Sequence, residues 1–349
     1  MSTNYSILIL GSFDKGAIEN QYKKHLIELG NIVSCFDIQR PVSDKKNKSL
    51  IDKAFFKIHP NFYYEPLNKE LLLFMEKKKF DVILVFKGME LFVESLQVLK
   101  THTKLLINYN PDHPLDIFSS GAGNVNIINN LSYYDFHISY AKNISLRLKK
   151  EKNLDCYTIP FGYDIDIVNK LTDSATEKHF NYFTFIGAYD ADRASNLTKL
   201  QYPHLKIYGD KAWSNRNLFN QYIRHHYQYR SLYEEEYYQA ISCSLGVLNF
   251  LRKQNLIENS HNMRTFEVPA VGGVLLAERT IEQQEFFEED KEAIYFDSLD
   301  ELKDKMLFLE QNETLVRNIK QAAYQRAIRS GYSYKYRTAE LLKIVNNYI

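Results

Sequence analysis

The stretch His261–Arg279, HNMRTFEVPAVGGVLLAER, sets a carboxylate, Glu267, between Arg264 and Pro269, just ahead of a short apolar run. Gly272 and Gly273 read as a helix stop before the strand VLLA, so a short helix over about 262–271 is expected. Pro269 cannot sit deep in a helix without removing a hydrogen bond, which puts Glu267 near the amino end or at a kink. That end of a helix offers free N–H groups and a partial positive charge, which suit a phosphate. A carboxylate one turn in can accept hydrogen bonds from the two hydroxyls of a ribose attached to that phosphate. A solvated carboxylate favoured by the dipole is the competing reading, and these residues alone leave the two level.

Other groups have suitable chemistry. NPDHP (110–114) puts Asp112 and His113 after a strand and between two prolines, where either is a candidate general base for a hydroxyl; the alternative is a rigid turn in which Asp112 caps the next helix. In GSFDKG (11–16), Gly11 and Ser12 follow the first strand and let backbone approach a ligand, but the spacing is not that of a dinucleotide loop. YDADR (189–193) and DID (164–166) each hold an Asp-x-Asp. That pattern recurs by chance, so no metal is expected, and Gly187 and Arg193 are the better candidates for lining a cleft. Arg252 and Lys253 stand at the end of the run LGVLNF. His25, His59, His102, His225, His226 and His261 show no ligand spacing and read as surface or packing residues. Neither a Gly-x-Ser-x-Gly elbow nor a Walker sequence occurs, which argues against hydrolases and kinases.

The elements that must position these groups follow from periodicity. Apolar runs at 6–10, 31–38, 81–86, 104–109, 136–140 and 156–160 alternate with amphipathic stretches such as 18–29 and 68–79. This is the pattern of parallel strands covered on both faces, a doubly wound sheet. The alternation restarts with runs at 182–189, 205–210, 244–250, 273–278 and 292–296, a second Rossmann-like domain. Capping boxes are expected at Ser231 with Glu234, Thr280 with Gln283, and Ser298 with Glu301. The seam is expected near 163–180, giving a first Rossmann-like domain over 1–170, a second over 171–330, and a last helix over 331–349 that packs back toward the first. A ligand cleft is expected where loops at the carboxyl ends of both sets of strands meet.

Composition agrees with a folded α/β protein. The 349 residues are many for one core, 45% are hydrophobic, and 44 basic against 43 acidic residues leave a net charge of +1. Nucleic-acid binding through bulk charge is thereby disfavoured. Cys35, Cys156 and Cys243 have no paired spacing and read as buried thiols of a reducing cytoplasm. No run reaches the roughly 20 apolar residues of a membrane span, while loose association with a membrane surface stays open. The 26 tyrosines and 22 phenylalanines include no identified sugar platform and are assigned to composition.

The run MRTFEVPAVGGVLLAERTIEQQEFFEEDKEAIYFDSLDEL resembles the carboxyl-terminal domain of group 1 glycosyltransferases, most closely the subset similar to the spore maturation protein CgeB. GYSYKYRTAELL, FTFIGAYDADR, LKIYGD and SLGVLNFLR fit the same pattern, and FDVILVFKG, INYNPDHP and IPFGYDID resemble its amino-terminal half. The resemblance implies the GT-B fold, two Rossmann-like domains facing across a cleft. It implies transfer of a sugar from a UDP- or GDP-type donor, held by the second domain, to a hydroxyl of a glycan or glycoconjugate held by the first. Glu267 then binds the ribose and Arg264 faces the diphosphate, with Arg252, Lys253, Gly187 and Arg193 completing the donor side and Gly11 and Ser12 on the acceptor side. No cofactor is implied beyond the co-substrate. Many group 1 enzymes carry another glutamate eight residues before the ribose-binding one, and here that position is Asn259, beside Glu258. Two rival functions share the architecture: a nucleotide-sugar 2-epimerase-like isomerase, and a binding module without catalysis.

Overall fold

The structure, a computed structural model, describes residues 4–118, 121–173 and 181–349. Part of the expected seam, 174–180, lies outside the described residues. The chain divides into two units: one runs through Pro160 and includes Tyr334–Ile349, and the other is Phe161–Ser333.

The first unit contains β1 (Ser6–Gly11), α1 (Ile18–Glu28), β2 (Ile32–Asp37), α2 (Arg40–Lys46), α3 (Leu50–Ile58), α4 (Asn61–Met75), β3 (Phe80–Phe86), α5 (Val93–Thr101), β4 (Thr103–Asn110), α6 (Val125–Asn130), β5 (Phe136–Ser139), α7 (Lys142–Lys152) and β6 (Cys156–Thr158). Its six strands pair in the order β2-β1-β3-β4-β5-β6. All are parallel, with Ile7 opposite Val82 and Leu8 opposite Ser34. Leu8–Leu10 and Ile83–Phe86 are buried on both faces, which is why these strands read as continuous apolar runs rather than alternating ones.

The second unit contains α8 (Ile165–Asp173), β7 (Phe183–Ile186), α9 (Ala191–Leu200), β8 (Leu205–Tyr208), α10 (Ala212–Asn215), α11 (Gln221–His226), α12 (Glu234–Cys243), β9 (Gly246–Asn249), α13 (Lys253–Ile257), α14 (Arg264–Ala270), β10 (Leu275–Glu278), α15 (Ile281–Phe286), β11 (Ile294–Phe296), α16 (Leu299–Gln311) and α17 (Glu313–Arg329). Its sheet is parallel in the order β11-β10-β9-β7-β8, around a core that includes Phe183, Phe185, Trp213, Leu248 and Leu276. The final helix, α18 (Tyr334–Val345), packs on α1, with Tyr334 edge-on to Tyr22 at 6.1 Å and Tyr5 Oη donating to Asn346 at 2.7 Å.

Two local expectations are corrected. Ser231 and Glu234 form no capping box: α12 starts at Glu234 behind Tyr233, and a φ of 50° at Glu234 breaks the helical run that a cap at Ser231 needs. Helix α4 begins seven residues earlier than its expected start at 68, because Tyr63, Tyr64 and Leu67 belong to the same buried stripe as Leu71 and Met75. Thr280 and Ser298 do cap α15 and α16 through the Gln283 and Glu301 N–H groups.

Candidate functional site

Each sheet has a topological switch, where successive connections leave on opposite sides of the strand pair and ligands characteristically bind. In the second unit the switch lies between β7 and β9, flanked by the loop Gly187–Asp190 and by Phe250–Arg252. Asp190 starts α9 by accepting the N–H groups of Asp192 (3.0 Å) and Arg193 (3.3 Å), and Asp164 does the same for Asp166 and Ile167 ahead of α8. Both Asp-x-Asp motifs are therefore built as helix caps.

Arg193, thus placed on the first turn of α9, reaches across the switch, and its Nε donates to the Phe250 carbonyl at 3.1 Å. It is buried against Phe185, and its pKa falls to about 10, first through desolvation and then through repulsion by Arg264 and Arg252. Asp190 and then Glu278, at the carboxyl end of β10, oppose that repulsion; Glu278 Oε2 accepts the Leu251 N–H at 2.6 Å, and burial raises its own pKa. Three guanidinium groups thus raise the positive potential at this switch, a feature that suits an anion. Gly187 makes room: a Cβ there would stand 3.2 Å from Arg264 Nη2. Lys253 opens α13 with its side chain exposed.

Glu267 lies in the first turn of α14 and is buried. Its Oε2 accepts from the Tyr237 hydroxyl of α12 at 2.6 Å. Desolvation raises the Glu267 pKa, while Tyr237 and the charge of Arg264 pull the other way. The solvated-carboxylate reading is thus excluded by burial. The expected free N–H groups at the start of α14 are not free, however. The Arg264 N–H is held by Asn262 Oδ1 at 3.0 Å, Thr265 bonds the Asn262 carbonyl, and Phe266 and Glu267 both bond the Met263 carbonyl. The positive character here resides in the arginine side chains. The end of α14 is closed as expected: Gly272, at φ 66°, bonds Pro269 and Gly273 bonds Val268. Gly273 also admits close packing, since a Cβ there would meet Ile241 at 2.6 Å.

A polar framework holds this stretch in place. Asn249, ending β9, exchanges side-chain hydrogen bonds with Asn262, and Asn255 donates to the His261 carbonyl at 2.7 Å. The buried His261 pairs through Nδ1 with Glu282 at 2.8 Å, a packing role. Asn259 has φ 47°; its N–H bonds Leu256, and the Ser260 N–H bonds Asn255 at 2.8 Å. This is a left-handed cap ending α13, a position that asparagine accepts more readily than glutamate.

In the first unit the switch lies between β1 and β3. There the Ser12 N–H is occupied by Glu19 Oε1 at 2.9 Å, and Gly11 is packed so closely that a Cβ would stand 2.7 Å from Glu19 Cγ. Lys87, at φ 62° beyond β3, donates to Asp112 Oδ2 at 2.7 Å. Asp112 does not cap α6, whose cap is Asn124. His113 is buried; its Nδ1 accepts the Asp116 N–H at 2.9 Å and its Nε2 lies 3.2 Å from Arg147 Nη1. These contacts brace its loop. Tyr237, Glu278 and Lys87 were missed in sequence. Only Glu278, a carboxylate ending the run VLLAE, carried a visible signal.

Residues 191–343 match a family described as glycosyl transferase-like. No curated protein matches the chain in sequence. Among solved structures the chain is similar to sucrose-phosphate synthase from Thermosynechococcus elongatus, at 10% identity and a TM-score of 0.71 over 98% of both chains. It is similar to a glycosyltransferase from Rickettsia africae, at 13% identity and a TM-score of 0.64 over 99% of both. A third likeness is to HepE of Anabaena in complex with UDP and glucose, at 13% identity and a TM-score of 0.62, covering 99% of this chain and 100% of that one. At these identities the likeness establishes the fold, which is GT-B. No described helix is long and apolar enough to cross a membrane. Family match and fold together support a GT-B glycosyltransferase.

Proposed function

We propose that the chain transfers a sugar from a nucleoside-diphosphate sugar to a hydroxyl of a saccharide-type acceptor, without a metal ion, and that its nearest pattern is that of the CgeB-like subset. The observation that carries this reading is the buried Glu267 beside Arg264, at a switch point where Arg193 and Arg252 add to the positive charge. Glu267 accepts the ribose hydroxyls, and the Tyr237 hydroxyl on Oε2 fixes the carboxylate for them. The arginines receive the diphosphate. As the sugar–phosphate bond breaks, negative charge grows on the departing diphosphate, and fixed guanidinium groups stabilise it without any reorganisation at that moment. Each charge-assisted contact contributes roughly 1.5 to 3 kcal/mol. The HepE complex with UDP and glucose, on the same fold, supports a nucleotide of this kind.

On the acceptor side Asp112, whose Oδ2 accepts from Lys87, and His113, whose Nδ1 accepts the Asp116 N–H, are the two candidate bases. Gly11 and Ser12 contribute shape rather than N–H donors, the Ser12 N–H being held by Glu19.

A thermal-shift screen against nucleoside diphosphates tests the reading. A cognate nucleotide at 100 times its dissociation constant adds about 2.7 kcal/mol of stability. The matching nucleotide sugar should then be consumed only when a saccharide acceptor is present. Conversion of the donor alone, followed by NMR, points to an isomerase, and tight nucleotide binding with no turnover points to a binding module. Absence of any nucleotide response overturns the reading.

A further inference from the structure

Helix α3 (Leu50–Ile58) is well formed, yet none of its residues is buried. Its start is capped, with Ser49 accepting the Asp52 N–H at 3.0 Å. A nine-residue helix is marginal by itself, and most such helices are held by covering an apolar face. Here the apolar face points outward. Leu50 is 84% exposed, Ile51 80% and Ile58 72%, and Phe55 (40%) stacks edge-on with Phe62 (55%) from the start of α4. At helical spacing, positions 50, 51, 54, 55 and 58 form one continuous stripe. The opposite side is what attaches to the protein: the Tyr63 hydroxyl donates to Asp52 Oδ1 at 3.1 Å, and Phe56 packs on Tyr63 and Tyr64 at 5.3 and 5.8 Å.

Charge frames this stripe in one sign. Between Arg40 and His59 stand five lysines and two acidic residues, in a chain whose net charge is only +1. Lys53 and Lys57 flank the stripe on α3, Lys48 precedes it, and Lys45 Nζ lies 4.5 Å over the Phe62 ring. One of the two acids, Asp52, is turned inward to Ser49 and Tyr63. Long lysine stems can lie along apolar surface while their ammonium groups remain at an aqueous boundary.

We propose that the outward face of α3, with Phe62, docks on an anionic lipid surface, the apolar side chains entering the headgroup boundary and Lys45, Lys48, Lys53 and Lys57 meeting lipid phosphates. A single apolar stripe within a basic rim matches a boundary that is apolar below and anionic above. The inference is independent of the donor chemistry in the other unit.

Co-sedimentation of the full chain tests it, with vesicles of phosphatidylcholine alone and of phosphatidylcholine mixed with phosphatidylglycerol. The expected result is retention about tenfold or more higher on the anionic vesicles, weakening as salt is raised. Ile51→Glu with Ile58→Glu should abolish retention, and Lys53→Glu with Lys57→Glu should remove the preference for phosphatidylglycerol. These positions are exposed, so thermal midpoints should hold in all variants, which separates docking from folding. Absence of retention on anionic vesicles, or retention untouched by either double variant, overturns the proposal. So does concentration-dependent self-association of the vesicle-free protein that is lost with Ile51→Glu and Ile58→Glu in the absence of vesicle binding, because the face would then join copies of the chain.

Discussion

The two switch points are built alike and charged oppositely. Beside β7 and β9, Arg193, Arg264 and Arg252 crowd together, and the pKa of Arg193 drops to about 10 through burial and their repulsion. Beside β1 and β3, carboxylates crowd instead: burial raises the pKa of Glu19 and pushes that of Glu90 up to about 7, with Asp37 adding repulsion to both and Lys87 relieving both. Under the proposed function, one fold would serve two purposes through a few side chains at strand ends. A cationic pocket suits a diphosphate; an acidic one whose Ser12 N–H is already used suits neutral hydroxyls.

The largest expected effect lies in the scaffold of the cationic switch. Gly209 lies so close to the Gly187 loop that a Cβ would stand 2.1 Å from the Gly187 carbonyl oxygen and 2.5 Å from Trp213 Nε1. Gly209→Ala should cost about 3 kcal/mol or more, read as a lower midpoint in urea, because backbone must move. The acidic switch gives the next effect. Glu90 is buried, and its folded pKa of about 7 lies above the unfolded 4.5, so its contribution is full below about 4.5 and lost as pH rises toward 7. Wild-type stability should therefore decline across that window by an amount of order 3 kcal/mol from this group, and Glu90→Gln should remove that component of the slope. An identical slope in the variant would place the titration elsewhere.

Arg264→Ala should weaken nucleoside-diphosphate affinity by roughly 1.5 to 3 kcal/mol in calorimetry while leaving the fold intact. Tyr237→Phe should cost about 1 kcal/mol of the same affinity. Because ribose hydroxyls bind the ionised carboxylate and burial raises the Glu267 pKa, affinity should improve as pH rises above the ordinary carboxyl range. Losing the Tyr237 donor should move that improvement to higher pH.

How much of this was legible in the sequence differs between fold and site. Among the described residues all eleven strands lie within or beside the expected apolar runs, because parallel strands covered on both faces leave an unbroken hydrophobic signature. Gly272 and Gly273 marked the end of α14 because only a residue tolerant of positive φ closes a helix that way. The surroundings of the site were hidden, since they depend on residues distant in the chain. Tyr237 comes from a helix thirty residues before Glu267, and Arg147, thirty-four residues after His113, lies 3.2 Å from its Nε2. Asn259 looked like a lost carboxylate because its backbone angle cannot be read from its letter. The same holds at Ser231, where the box pattern was present but the φ at Glu234 forbids it.

The central claim is that Glu267 holds the ribose of a bound nucleotide. Its most direct test is a calorimetric cycle of wild type and Glu267→Gln against the nucleoside diphosphate selected by the screen and its 2′-deoxy counterpart. Wild type should favour the ribose form by about 1.5 to 3 kcal/mol, and the variant should bind both forms nearly alike. Equal discrimination by the two proteins would contradict the account.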